Sequence, residues 1–354
     1  MSRGVFVLEP IRPFRLDLTV WALRRRPDNA VDRWDGQTYR RVLALPAGPV
    51  EVALTQIAPP EAAQLQVAVA GQAPPVVVTA ALERLLGLRI DLGDFYRFAA
   101  QDRRLDQLAQ RFVGMKPPRF ATLFESVVNA VACQQVTLTL GIRLLNRLAN
   151  DHGAALEGER IAHAFPRPED LAGLSADDLR NLGLSRQKAR AMIELARAIT
   201  EGRLDLEGLA HLPDEEAVAH LRGLRGLGRW TAEYVLLRGL GRLHVFPGDD
   251  VGGRNSLRHW LRLRKDLDYE TVQRTLARWQ GYGGLIYLHL LLDRLAEAGH
   301  LQTGPAFACV GRAPGIVRFR FCLPGSDGGK VTEWSTTTCP WVSNRREPCR
   351  ATLT

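Results

Sequence analysis

Two adjacent carboxylates, Asp249 and Asp250, stand in HVFPGDDVGGRN (244–255), downstream of the stretch LRGLGRWTAEY (224–234). A carboxylate placed there can stabilise developing positive charge or activate a water. It can equally cap the helix that the following residues predict. The upstream stretch offers more. Gly226 and Gly228 flank Leu227, and glycine permits a left-handed turn that lets backbone N–H groups approach a phosphate. A helix predicted from about Arg229 adds unpaired N–H donors at its start. Trp230 and Tyr234, four residues apart on that helix, share a face and could present π surfaces to a cation or pack in a core. The plain alternative for the whole turn is an αα-corner, with Leu224 and Leu227 plugged into the helix pair beneath.

The elements that must position these residues fall into three stretches. Residues 1–115 read as a small α+β domain: FRLDLTVWAL, VEVALTQ and LQVAVAG predict strands, and TAALERLLGL predicts a helix from Thr79. Residues 116–301 read as helical throughout. Short apolar-periodic segments there open on Ser, Thr, Asp, Pro or Gly, as helix starts do. Residues 302–354 have scattered Gly, Pro, Ser and Thr without a period, which predicts a flexible basic tail.

Composition narrows the function classes. The 354 residues suit two or three domains with a sizeable core. No apolar run is long enough to span a membrane and the N-terminus lacks a signal-peptide pattern, so a cytoplasmic protein is expected. The formal net charge of +9 points to a polyanionic partner, although the stretch 301–354 alone holds seven Lys/Arg against three acids. Of five cysteines, Cys133 lies in an apolar helical run and reads as a core residue. Cys309, Cys322, Cys339 and Cys349 lie in the tail without a C-x-x-C pair. That spacing argues against zinc or iron–sulfur ligation, and the histidines show no metal-binding spacing either.

The hairpin followed by an aspartate resembles the helix-hairpin-helix DNA glycosylase superfamily. LDLTVWALRRRPDNAVDRWDGQTYRRVL (16–43), PPRFATLFESVVNAVACQQVTL (117–138), LGLSRQKARAMIELARAI (182–199) and WQGYGGLIYLHLLL (279–292) narrow it to the DNA-3-methyladenine glycosylase II type. The resemblance covers about 1–300 and leaves the tail unexplained. It implies an α+β fold: a small β-containing N-terminal domain, then an all-α helix-hairpin-helix core of two helical subdomains with the lesion pocket between them.

The resemblance also implies roles. Asp250 falls on the catalytic aspartate, with Asp249 capping or orienting it. Trp230, Tyr234, Gln134 and Tyr282 fall on the lesion pocket, with Trp279, Tyr287 and Leu291 in the same C-terminal stretch. Leu224, Gly226, Leu227, Gly228, Arg229, Gln135 and Arg254 fall on the DNA-binding surface, and Lys188 is a further phosphate contact. Members that also cut the strand carry a lysine where this chain has Trp230, and no other lysine is expected near. A monofunctional hydrolase is therefore implied, acting on alkylated purines, chiefly 3-methyladenine, in double-stranded DNA. Rival readings are a related glycosylase for uracil, hypoxanthine or oxidised purines, and a non-catalytic DNA-binding protein. No cofactor is required, though in relatives a monovalent cation can sit on the hairpin backbone. A monomer is implied, with no membrane partner.

Overall fold

The computed structural model describes residues 3–156, 161–279 and 281–301. The expected tail and its four cysteines lie outside those residues. Among the described residues no helix is long and apolar enough to cross a membrane.

The N-terminal part is an antiparallel sheet of β1 (Arg3–Leu8), β2 (Arg33–Trp34), β3 (Thr38–Leu45), β4 (Gly48–Gln56) and β5 (Leu65–Ala70) in the order β1-β5-β4-β3-β2. The alternation that predicts two of these strands puts Val50, Val52 and Leu54 of β4 on the same buried face as Leu65, Val67 and Val69 of β5. Register pairs Val52 with Val69 and Leu54 with Val67. Helices α1 (Leu16–Arg24) and α2 (Pro75–Leu86) cover this face through Leu16, Val20, Leu23, Val78 and Leu82.

Two local expectations need correction. FRLDLTVWAL is not a strand: it forms most of α1. Leu16, Leu18 and Val20 satisfy strand alternation, but Thr19, Trp21, Ala22 and Leu23 are buried as well. A short helix covered on nearly every side shows no diagnostic period. Helix α2 starts at Pro75 instead of Thr79, because proline suits the first helical position and three valines behind it disguise the start.

The remaining helices are α3 (Gly93–Ala99), α4 (Arg103–Arg111), α5 (Leu123–Cys133), α6 (Leu138–His152), α7 (Pro168–Ala172), α8 (Ala176–Asn181) and α9 (Arg186–Thr200), followed by α10 (Asp214–Gly223), α11 (Arg229–Val235), α12 (Val251–Leu261), α13 (Tyr269–Leu276) and α14 (Gly283–Glu297). They form two apolar clusters. One draws on α5 to α11, including Val128, Leu145, Met192, Leu221 and Leu227. The other joins Leu18 and Trp21 of α1 and Phe95, Leu105 and Phe112 to Leu257, Ile286 and Leu292. The second cluster is thus assembled from both ends of the described chain. Cys133 is half-buried against the first cluster.

A buried charge triad joins the sheet to the helices. Arg41 of β3 is 1% exposed and donates to Asp32 at 2.7 Å and to Glu125 of α5 at 2.5 Å. Burial pushes the Glu125 carboxyl up, so its charge depends on the arginine opposite. Removing that arginine strands two carboxylates in a low-dielectric interior. Arg41→Ala is expected to lower stability by about 3–5 kcal/mol in chemical denaturation; a loss below ~1 kcal/mol, the worth of a surface pair, would show that the triad is solvated.

Candidate active site

The hairpin is built as its residues predict. Helix α10 ends at Gly223, Leu224 is extended, and Gly226 turns the chain with φ of +77°. A Cβ at Gly226 would lie 3.2 Å from the Ala191 Cβ of α9, so glycine answers both a backbone and a space requirement there. Leu227 is buried and Leu224 partly buried in the larger helical cluster. The turn is therefore a helix–helix corner in its packing, and it presents Gly226 and Gly228 on a cleft of about 1380 Å3.

Asp250 caps α12 and is also a half-buried carboxylate of that cleft, beside Asp249. Its Oδ1 accepts from Gly253 N at 2.5 Å, capping α12. Its Oδ2 accepts from Trp230 Nε1 at 2.9 Å and from Tyr287 OH at 3.3 Å. Capping and chemistry, alternatives in the sequence, are divided between the two oxygens of one side chain. Gly253 makes room for this: a Cβ there would lie 2.8 Å from the Tyr287 ring. Burial, and then the Asp250 charge, hold the Tyr287 hydroxyl far above its ordinary range, so it serves as a neutral donor.

The aromatic pair stacks along α11. Trp230 and Tyr234 lie 5.4 Å apart at 28°, and both line the cleft. Tyr234 is only 4% exposed and its OH accepts from Arg25 Nη1 at 2.8 Å. Trp230 thus presents a ring to the cleft and spends its N–H on Asp250.

Other expected site residues fall differently. Tyr282 is outside the cleft lining, packed on Phe95 and Phe98 at 5.4 and 4.9 Å; Tyr287 and Leu291, further along α14, line it instead. Trp279 is also elsewhere, against Trp260 with its Nε1 donating to Asp102. Gln134 lines the cleft, but its amide is occupied: Nε2 donates to Gly226 O and Thr231 Oγ1, both at 2.8 Å. Gln135 stands beside it, exposed, with φ of +52°, an uncommon conformation for a residue with a Cβ. Arg229 is paired to Asp249 at 2.7 Å. Arg254 is half-buried on the first turn of α12, outside the cleft lining. The expectation that no lysine stands near Trp230 is corrected: Lys188 lines the same cleft. Its Nζ donates to Ala132 O at 3.0 Å and Gln134 O at 2.6 Å, closing the end of α5, and burial lowers its pKa.

The inner wall holds residues that sequence reasoning missed. Arg25 and Arg238 both reach the cleft lining. Their partners are uncharged: Arg25 donates to Tyr234 OH and Asn129 Oδ1, and Arg238 donates to Ala22 O. Burial lowers the pKa of Arg238. The one available signal was an arginine inside the apolar run VLLRGL (235–240). Arg238 sits where α11 widens into a π-helical turn, Leu236–Leu240, a local feature frequent at functional sites.

Residues 128–281 match the family model for HhH-GPD superfamily base excision DNA repair proteins. The helical core is thus similar to this superfamily. Among relatives of this superfamily, the chain is 31% identical over 196 residues to a DNA-3-methyladenine glycosylase of Bacillus subtilis, covering 54% of this chain and 65% of that protein. It is 29% identical over 186 residues to DNA-3-methyladenine glycosylase 2 of Escherichia coli, covering 52% of this chain and 63% of that protein. The chain thus spans somewhat under two thirds of each of these relatives. Its structure is similar to a 3-methyladenine DNA-glycosylase from Archaeoglobus fulgidus, with a TM-score of 0.71 and 26% identity over 82% of this chain and 99% of that one.

The packing of Tyr287 on Gly253 gives a direct check of the site's construction. Gly253→Ala is expected to displace the tyrosine ring and lower stability by about 1–3 kcal/mol, the usual effect of overpacking, read as a fall in melting temperature. An unchanged melting temperature would mean that the ring does not rest on this backbone.

Proposed function

We propose that the protein is a monofunctional DNA glycosylase that hydrolyses the N-glycosidic bond of alkylated purines, 3-methyladenine foremost, in double-stranded DNA. The observation that carries the proposal is the placement of the Gly226–Gly228 turn and the Asp250 carboxylate on one cleft, with an aromatic ring between them. The names of the superfamily relatives support the same reading. The turn would hold backbone phosphates through N–H groups at the start of α11. Gln135, exposed at the cleft in its unusual conformation, would fill the gap left by the flipped base.

In the cleft, the alkylated base already carries positive charge and leaves readily. Trp230 would face it with a π surface. The Asp250 carboxylate would stabilise the oxocarbenium-like sugar and orient or deprotonate the attacking water. Trp230 contributes a second time, by fixing the carboxylate through Nε1. With a tryptophan at this position, Schiff-base formation has no nucleophile there, and Lys188 is engaged with two carbonyls.

The hairpin carbonyls fit a monovalent cation in part. Leu224 O and Gly226 O each already accept one hydrogen bond, from Leu227 N and Gln134 Nε2, which leaves each a second lone pair. Leu224 and Gly226 would hold such an ion through these carbonyls, where it would supply positive charge beside the turn, and the chemistry does not run through it.

Asp250→Asn is expected to keep DNA binding and lower base release by about 10²–10⁴-fold. Trp230→Phe keeps the ring and removes the donor; release should fall by roughly 10- to 100-fold, the worth of a hydrogen bond to a charged group. Full activity in Asp250→Asn would remove this residue from the chemistry. Borohydride reduction during turnover should trap no protein–DNA adduct; a trapped adduct would show a lyase step and overturn the monofunctional assignment.

A further inference from the structure

Helix α11 holds the acid-bearing turn at three successive residues. Trp230 bonds Asp250, Arg229 bonds Asp249 at 2.7 Å, and Glu233 Oε2 accepts from Gly248 N at 2.9 Å. Glu233 is 8% exposed, and its other oxygen accepts from Tyr269 OH at 2.6 Å. The Tyr269 ring carries the Arg229 guanidinium 3.7 Å from its centroid. The four side chains close a circuit: Glu233 to Tyr269, Tyr269 to Arg229, Arg229 to Asp249, and the 248–249 backbone back to Glu233.

The circuit occupies the groups that a DNA contact would need. The hydrogen bond to Asp249 holds the Arg229 pKa up, and its flat face lies on an aromatic ring. Burial and the Glu233 hydrogen bond push the Tyr269 hydroxyl to about 12, so it remains a neutral donor. Glu233 does not itself line the cleft, and a buried carboxylate is retained at a desolvation cost that this geometry explains.

Resting on the assignment of Asp250 as the reacting carboxylate, we propose that Glu233, Tyr269 and Arg229 are positioning residues for Asp250. In this scheme Arg229, expected from the sequence to bind a phosphate, instead fixes the turn through Asp249. Displacing the turn moves the carboxylate relative to the sugar, and small misplacements of a reacting group have large rate effects.

The test is single-turnover base release from a duplex with one alkylated purine, with DNA affinity measured across a salt series. Glu233→Ala should slow release by roughly 10- to 100-fold with affinity within about twofold. Glu233→Gln should recover most of the rate, because its amide can accept from Gly248 N and donate to Tyr269. Arg229→Met should slow release and leave the salt slope unchanged, whereas loss of a phosphate contact reduces that slope by about 1. Tyr269→Phe, which removes one hydroxyl and keeps the ring, should reproduce part of the Glu233→Ala effect if the alanine variant does not fold. The proposal is overturned by an unchanged rate in Glu233→Ala or Tyr269→Phe, by equal losses in the Gln and Ala variants, or by a reduced salt slope in Arg229→Met. Hydrogen exchange at the Gly248 amide tests the clamp without catalysis: it should speed up about tenfold or more when Glu233 is truncated. A wild-type protein that releases no base while this exchange behaves as stated would refute the role of Asp250 and leave the clamp standing.

Discussion

The site depends on the hydrogen bond from Trp230 Nε1 to Asp250 Oδ2. It joins the helix that follows the glycine turn to the residue that caps α12, and so fixes the two halves of the cleft in one relation. Two constraints feed into it. The glycine turn sets where α11 begins, and hence where its second residue points. The cap on Gly253 leaves one carboxylate oxygen turned towards the indole. Shifting either helix by one residue would break the bond, which explains why so short a stretch carries so much of the architecture.

Much of this was legible in the chain. Glycines flanking a leucine, then an aromatic helix, led to the hairpin and to α11, while the choice of Asp250 over Asp249 came from the family resemblance alone. The strands β4 and β5 followed from simple alternation. Helix α1 was not legible as a helix, since burial on all sides erases the period by which helices are recognised. Tyr282, the residue that the resemblance put in the pocket, packs on Phe95, and Tyr287 lines the cleft instead, because the step from 282 to 287 turns the chain by about 140° along α14. The second cluster, made from both ends of the described chain, depends on long-range packing that no local pattern encodes. Arg25 and Glu233 were invisible for the same reason: their partners lie far away in sequence, Tyr234 and Asn129 for Arg25, Gly248 and Tyr269 for Glu233.

The electrostatics of the cleft are uneven. Arg25 and Arg238 make the inner wall positive, whereas Asp250 and the Trp230 ring, on the same cleft, are electron-rich. A cation placed in the cleft is therefore favoured on one side and opposed on the other, which constrains its position more tightly than an evenly polar pocket would. The same arrangement separates structural from chemical carboxylates. Asp249 and Asp250 both line the cleft, but Asp249 pairs with the Arg229 guanidinium whereas Asp250 accepts from the neutral donors Trp230 and Tyr287, and Glu233 lies outside the lining.

The central claim is that Asp250 acts on positive charge at the sugar. The most direct measurement compares binding to duplexes carrying a cationic pyrrolidine or a neutral tetrahydrofuran in place of the target sugar. The wild type should prefer the cationic analogue by roughly tenfold or more, as expected for a transition-state mimic, and Asp250→Asn should lose that preference while binding the neutral duplex as before. An undiminished preference in Asp250→Asn would contradict the claim.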